Sequence, residues 1–344
     1  MATIEERLAA LEKQMAAWID QQPTTYYTHK YSGEEIDDAV DKIRSGAGEG
    51  AVRFDQAQTL TPAQQEQAQH NIGTTWPCNP NLLDNWHFQI WQRYSNGSYS
   101  GVPNGSYVAD RWIITSSNGD ITSNLTAVTP YGGIKNATGP NCRITQRLEN
   151  AAQFSGMTLT LSVLKNTGLY TAAKVANGWN DTTDIFGGFS SKTAWLNAGE
   201  TILAAKLELG HTQTLAHREG DKWVINEVPE YGGQLRRCQR YFWRFSPAEY
   251  VAGATAFGID ANTARAMIYL PEQMRTSPAL NLNASEGFFL TGASGDIFNT
   301  TVSTVWTAPN SVCVDFKKSG AFEVNAPYFV RGGDFAYIDI SADL

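Results

Sequence analysis

Residues 157–165 read MTLTLSVLK. Met157, Leu159, Leu161 and Val163 alternate with Thr158, Thr160 and Ser162, the period of two that sends successive side chains to opposite faces of a strand. The pattern recurs at 203–209, where Leu203, Ala205, Leu207 and Leu209 alternate with Ala204, Lys206 and Glu208. It recurs again at 312–316, where Val312, Val314 and Phe316 alternate with Cys313 and Asp315. Asn-Gly, Gly-Gly and Pro-containing turns separate such segments, which is the texture of antiparallel sandwich or jelly-roll architecture. The chain is therefore expected to be mainly β from Pro77 onward. A boundary is expected near residue 235, at the turn YGGQ (231–234) and the run Arg236, Arg237, Cys238. It separates a jelly-roll-like sandwich over 77–235 from a smaller one over 236–344.

Before Pro77 the texture is helical. Ile4, Leu8, Leu11, Met15 and Trp18 recur with alternating gaps of four and three. Leu8 and Met15 then occupy a-type positions, and Ile4, Leu11 and Trp18 d-type positions, of a coiled-coil stalk over residues 1–22. Pro23 ends the helix. Five turns of isolated helix are marginal in water, so the apolar stripe needs a partner. A parallel copy from another subunit is one; the chain's own body is the other. A helical attachment segment over 23–76 follows. Ser32 and Glu35 have capping-box spacing, Ile36, Ala39, Val40 and Ile43 share a face, and Gly46 is a stop. A third helix starts at Thr61 with Pro62 and Gln64, and stops at Gly73.

Composition narrows the function. No apolar run approaches the roughly 20 residues of a membrane-spanning helix, and no signal peptide is expected. The formal charge is −8, which argues against a nucleic-acid partner. Residues 1–76 hold 6 Lys/Arg against 12 Asp/Glu, so the remaining 268 residues, at 20 against 22, are nearly neutral. A neutral body rich in aromatic residues suits neutral ligands such as sugars. Cys78, Cys142, Cys238 and Cys313 are too far apart for a CxxC pair and read as buried free thiols. No phosphate loop, dinucleotide fingerprint or nucleophile elbow occurs, so no cofactor, no metal site and no catalytic set is expected.

Several stretches resemble tail-fibre and receptor-binding proteins of tailed phages and prophages. FDQAQTLTPAQQEQAQHNIGTTW (54–76) is similar to a linker of such proteins. NPNLLDNWHFQIWQR (79–93) and YVADRW (107–112) resemble the opening of their β-sandwich modules. KLELGHTQTLAHREGDKWVINEVPEYGGQLRRCQRYFWRF (206–245) resembles the end of such a module, and LPEQMRTSPAL (270–280) a strand of the distal domain. The resemblance implies a virion tail protein, assembled in the host cytoplasm and usually homotrimeric. It implies sandwich domains like carbohydrate-binding modules, attachment to other tail proteins through the N-terminal region, and bacterial surface polysaccharide as ligand. It carries no catalytic residues. A purely structural fibre or baseplate adaptor is the alternative, and a polysaccharide depolymerase a further one. Residues 168–198 and the last 60 residues match no motif, so ligand specificity is expected in such stretches.

Sugar rings stack on flat aromatic surfaces, and Trp179 and Trp195 flank the Gly187-Gly188 turn in polar surroundings. They are the expected exposed platforms, with Tyr99 and Tyr107 as weaker candidates. Asp181 and Asp184, in WNDTTD (179–184), read as sugar contacts, a hydrolytic pair, part of a Ca²⁺ site, or turn-capping side chains. Trp112 and Trp223 lie in strand patterns and are expected in the core. The aromatic–basic run 236–245 reads as a buried strand with a wet edge.

Overall fold

The computed structural model describes residues 3–21, 33–44, 61, 64, 68, 79–94, 97–115, 124–129, 132–283, 287–333 and 336–344. The chain divides into two compact units, residues 1–75 and 76–344. In the first, helix α1 (Ile4–Gln21) carries the expected stripe. Its start is fixed by a capping box: Thr3 N donates to Glu6 Oε2 (2.8 Å) and Glu6 N to Thr3 Oγ1 (3.3 Å). Ile4, Leu8, Leu11, Met15 and Trp18 are all 59–82% exposed, so the stripe has no apolar cover among the described residues. Helix α2 (Gly33–Arg44) presents Ile36 and Val40 to solvent as well. Thr61 and Gln64 exchange reciprocal hydrogen bonds, as an N-cap and its N3 residue do. Pro23, Ser32, Gly46, Pro62, Gly73 and Cys78 lie outside the described residues.

The second unit is built from antiparallel sheets. Its first half contains β1 (Ser98–Tyr99), β2 (Ile113–Thr115), β3 (Asn124–Thr129), β4 (Gly132–Thr138), β5 (Cys142–Thr145) and β6 (Thr158–Lys165). It continues through β7 (Gly168–Val175), β8 (Trp195–Leu196), β9 (Thr201–Leu209), β10 (Ala216–Glu219) and β11 (Lys222–Ile225). A six-stranded sheet runs β1-β3-β4-β9-β6-β7, a smaller one β2-β5-β8, and β10 pairs with β11. Leu159, Leu161, Val163, Ala205 and Leu207 enter the core as the alternation requires. The opposite positions differ from expectation: Thr160, Ser162, Lys206 and Glu208 are buried too. Segment 210–227 supplies partners to three of them, and Ser162 Oγ meets Thr171 Oγ1 of β7 (3.4 Å). Glu208 accepts from Thr214 N (2.7 Å), Thr160 Oγ1 donates to Gly210 O (2.7 Å), and Lys206 pairs with Glu227 (3.4 Å).

Residues 231–234, expected as a turn, instead open helix α3 (Tyr231–Gln239). The Glu230 carboxylate explains it, accepting from the amides of Gly232 and Gly233 and so satisfying two donors of the first turn.

The second half contains β12 (Phe242–Phe245), β13 (Ala254–Asp260), β14 (Thr263–Tyr269), β15 (Ala279–Asn283) and β16 (Phe288–Gly292). It ends with β17 (Gly295–Ile297), β18 (Thr301–Ala308), β19 (Ser311–Lys317), β20 (Pro327–Gly332) and β21 (Tyr337–Ser341). The seven-stranded sheet β17-β16-β20-β13-β14-β19-β18 and the three-stranded sheet β12-β21-β15 share a core of Ala266, Ile268, Val314, Phe316, Ile338 and Ile340. Both halves belong to one compact unit, and each has its own hydrophobic core. Cys142, Cys238 and Cys313 are buried free thiols. Tyr241, Phe242 and Phe245 are buried. Phe242, which falls on the side expected to be the wet edge of this strand, is buried too and packs under Arg93.

That arginine pins the halves together. Its guanidinium lies between the rings of Tyr107 (4.6 Å) and Phe242 (3.7 Å), pairs with Asp343, and stands 3.8 Å from Asp110. Gln92 Nε2 bridges Asp110 Oδ2 (2.5 Å) and Phe242 O (2.9 Å). Beside it, the Arg111 guanidinium stacks on Tyr241 (3.5 Å) and bonds Asp84 (3.1 Å), which also holds Arg237 of α3 (2.7 Å).

Complete burial pushes the Asp110 carboxyl up to about 6, although the Arg93 charge and the Gln92 bonds pull it down. The folded protein therefore binds this proton more readily than the unfolded chain, and stability is lost as pH rises from about 4 to 6. Urea denaturation should show the wild type gaining about 2 kcal/mol relative to Asp110→Asn on going from pH 7 to pH 4.5. Parallel profiles for the two proteins would exclude this linkage.

Candidate functional site

The four residues expected to contact sugar do not form a platform. Trp179 is 6% exposed and belongs to the core of the first half, so its expected exposure is overturned. Its loop turns on its own polar groups: Asn180 Oδ1 accepts from Thr182 N (2.9 Å), and Asn180 N donates to Thr183 Oγ1 (2.8 Å). The ring is thus free to fold inward. Trp195, in β8, is half-buried against the same core. Asp181 accepts from Ala151 N (3.3 Å). Asp184 pairs with Arg143 (2.6 Å), accepts from Thr145, and caps the amides of Phe186 (3.0 Å) and Gly187 (3.2 Å). Each aspartate braces a different segment, which is the turn-capping reading. Tyr99 stacks on Tyr94 (4.2 Å), and Tyr107 lies under Arg93. Trp112 is fully buried as expected, and Trp223 is half-buried beside the core.

The candidate site lies elsewhere, in the unmatched last 60 residues. The tight hairpin of β16 and β17 pairs Gly292 with Gly295, whose φ of 112° needs no side chain. Across from it runs the segment 321–328, leading into β20. A groove of about 480 Å³ opens between them, within the roughly 300–1,000 Å³ of small-molecule sites. Tyr328 is one wall. Its hydroxyl accepts from Glu323 N (2.7 Å), its ring meets Phe322 edge-on, and a Cβ at Gly292 would approach its ring to 2.6 Å. Gly292 thus lets the hairpin lie close against that ring. Phe329 adds a half-exposed ring on β20.

Three charged side chains complete the lining. Asp296 accepts from Thr291 Oγ1 (2.5 Å), and Glu323 from Ser294 Oγ (3.5 Å). Arg331 also lines the groove, and its Nε is buried with no hydrogen-bond partner among the described residues. Carboxylates, a guanidinium with a spare donor, and aromatic rings can grip a polyhydroxylated ligand by hydrogen bonds and ring stacking. A second cleft, of about 310 Å³, borders Asp84, Arg111, Glu149, Arg237 and Arg240. Its ions are paired with one another across the junction of the halves.

The sequence reading placed specificity in stretches such as the last 60 residues but named none of these side chains. The available signal was TGASGD (291–296), a glycine-bounded hairpin ending in an acid. No protein-family model matches the chain, and no curated protein matches it.

Proposed function

We propose that this chain is a tail-fibre or receptor-binding protein of a tailed phage. It has two sandwich-like halves, forms a homo-oligomer through a coiled coil of α1, and holds bacterial surface glycan without cleaving it. The groove of Asp296, Glu323, Tyr328, Phe329 and Arg331 carries the ligand-binding part of this reading. The exposed stripe of α1 supports the oligomer, and the resemblance of residues 54–112 and 206–280 supports the particle and the trimer. Weak single sites suffice, because several copies multiply avidity.

The test is binding of the full protein to intact bacteria and their extracted surface polysaccharides. One polysaccharide should bind saturably, and Phe329→Ala or Arg331→Gln should weaken it at least tenfold, as loss of a stacking ring or a charged hydrogen bond does. Unchanged affinity in both variants would remove the groove from the mechanism. Release of reducing ends would replace binding by hydrolysis, with Asp296 and Glu323 as the carboxylates to test. The purely structural reading draws on a different observation, the exposed Phe257, Ile259, Met267 and Tyr269 of β13 and β14 on the outer side of the seven-stranded sheet. Silence against every cell and polysaccharide would favour it.

A further inference from the structure

The second cleft, of about 310 Å³, lies between the first half and the segment that begins with α3. Asp84, Arg111 and Glu149 come from the first half, and Arg237 of α3 and its C-cap Arg240 from the other side. The pairing of these ions is incomplete. Two carboxylates face three guanidinium groups, so the lining carries one positive charge in excess among the described residues. Arg111 is the sharper sign. Its side chain is 1% exposed, Nε donates to Asp84 Oδ2 (3.1 Å) and Nη2 to Arg147 O (2.6 Å). Its Nη1 is buried too, with no hydrogen-bond partner among the described residues. Buried polar groups are nearly always paired, and a charged donor left without an acceptor is costly. Arg237 and Arg240 each place one nitrogen on a carboxylate, Asp84 at 2.7 Å and Glu149 at 2.9 Å. Their side chains are 45 and 46% exposed, so the other donors of both forks remain available to a ligand.

We propose that this cleft binds a small organic acid, a uronic acid among them, whose carboxylate takes donors that Asp84 and Glu149 leave free on the three arginines. Charge sets the sign of the ligand: one excess cation calls for one anionic group, and a neutral sugar leaves that excess standing. Geometry favours a carboxylate, because its two oxygens match the planar fork of a guanidinium. Size and lining call for a carbon skeleton behind it. The cleft has about ten times the roughly 30 Å³ share of one water, so a bare oxyanion leaves most of it unfilled. Leu82, Leu148 and Phe154 supply an apolar wall for that skeleton, and the exposed Gln153 offers an amide to its hydroxyls. The bound acid would touch both sides of the cleft and so add to the contacts that join them. The inference does not depend on what the Arg331 groove binds, and the two sites share no residue.

The test is titration calorimetry of the full chain at low salt with glucuronate, glucose and inorganic phosphate. Glucuronate should bind saturably and at least tenfold more tightly than either of the others. Arg240→Gln removes the excess charge, while Tyr241 Oη still donates to Glu149 Oε2 (3.0 Å). It should weaken glucuronate binding at least tenfold, as loss of a charged hydrogen bond does. Arg237→Gln takes its place if circular dichroism shows that variant misfolded, and the ranking of the three ligands by the wild type needs no variant. Absence of saturable glucuronate binding at millimolar concentration overturns the proposal. So does glucose binding equally well, phosphate binding more tightly, or a folded cleft variant that binds glucuronate as the wild type does. If Arg331→Gln removes the binding and Arg240→Gln does not, the acid sits in the other groove: this inference then fails and the glycan reading stands.

Discussion

Replacing Arg93 by leucine lowers the stability of the body by about 3–5 kcal/mol at pH 7, the usual cost of breaking a buried ion pair from one side. The guanidinium serves two carboxylates and two rings at once. Without it, Asp110, fully buried, and Asp343, nearly so, face each other across a site with no cation between them. Burial already raises both carboxyls. Removing the positive charge raises them further, so protonation relieves the variant. The loss should therefore shrink as pH falls from 7 to 5. Urea denaturation at both pH values measures it. An equal loss at both would mean that ring packing, not charge, sets the value of this residue.

Trp112→Ala carries a cost of similar size for another reason. Its side chain is completely buried, 4.6 Å from Phe88 and edge-on to Phe186 at 5.5 Å. Truncating such a ring costs about 3–5 kcal/mol in lost burial and residual cavity. Its Nε1 also donates to Asn85 O (2.8 Å), and Asn85 Nδ2 ties down the carbonyls of Ile90 and Asp110. The Asn85 carbonyl keeps its bond from Phe88 N (2.9 Å), so loss of the Trp112 bond adds only about 1 kcal/mol. Trp112→Phe keeps most of the packing and loses the bond, so it should fall between wild type and alanine. Equilibrium unfolding of the three proteins checks the order, and a phenylalanine variant as unstable as alanine would sink the packing argument.

Asp110, Arg111 and Trp112 come from one short stretch, VADRW (108–112), and each does a different job. Asp110 helps to close the clamp, Arg111 stacks on Tyr241, and Trp112 fills the core. The strands were legible because period two survives whatever covers the sheet. What covers it was not legible: Lys206 and Glu208 read as solvent-facing, yet segment 210–227 lies over them. Helix α3 was hidden behind Gly232-Gly233, a turn signal that the Glu230 carboxylate reverses. Trp179 failed for a related reason, since polar neighbours reveal a turn but not the direction of a ring within it. The groove was out of reach because residues 291–297 and 321–331 meet only once the sheet has formed.

A pull on the groove would reach the first half through the covalent chain and through the contacts around Arg93 and Arg111. Those contacts act in parallel and are all short-range, so they share a load and give way together over a small displacement. The rate of crossing that barrier, rather than equilibrium stability, governs resistance to force. Resistance of the junction to such a pull is therefore a matter of how fast these contacts part, not of how stable the body is at rest.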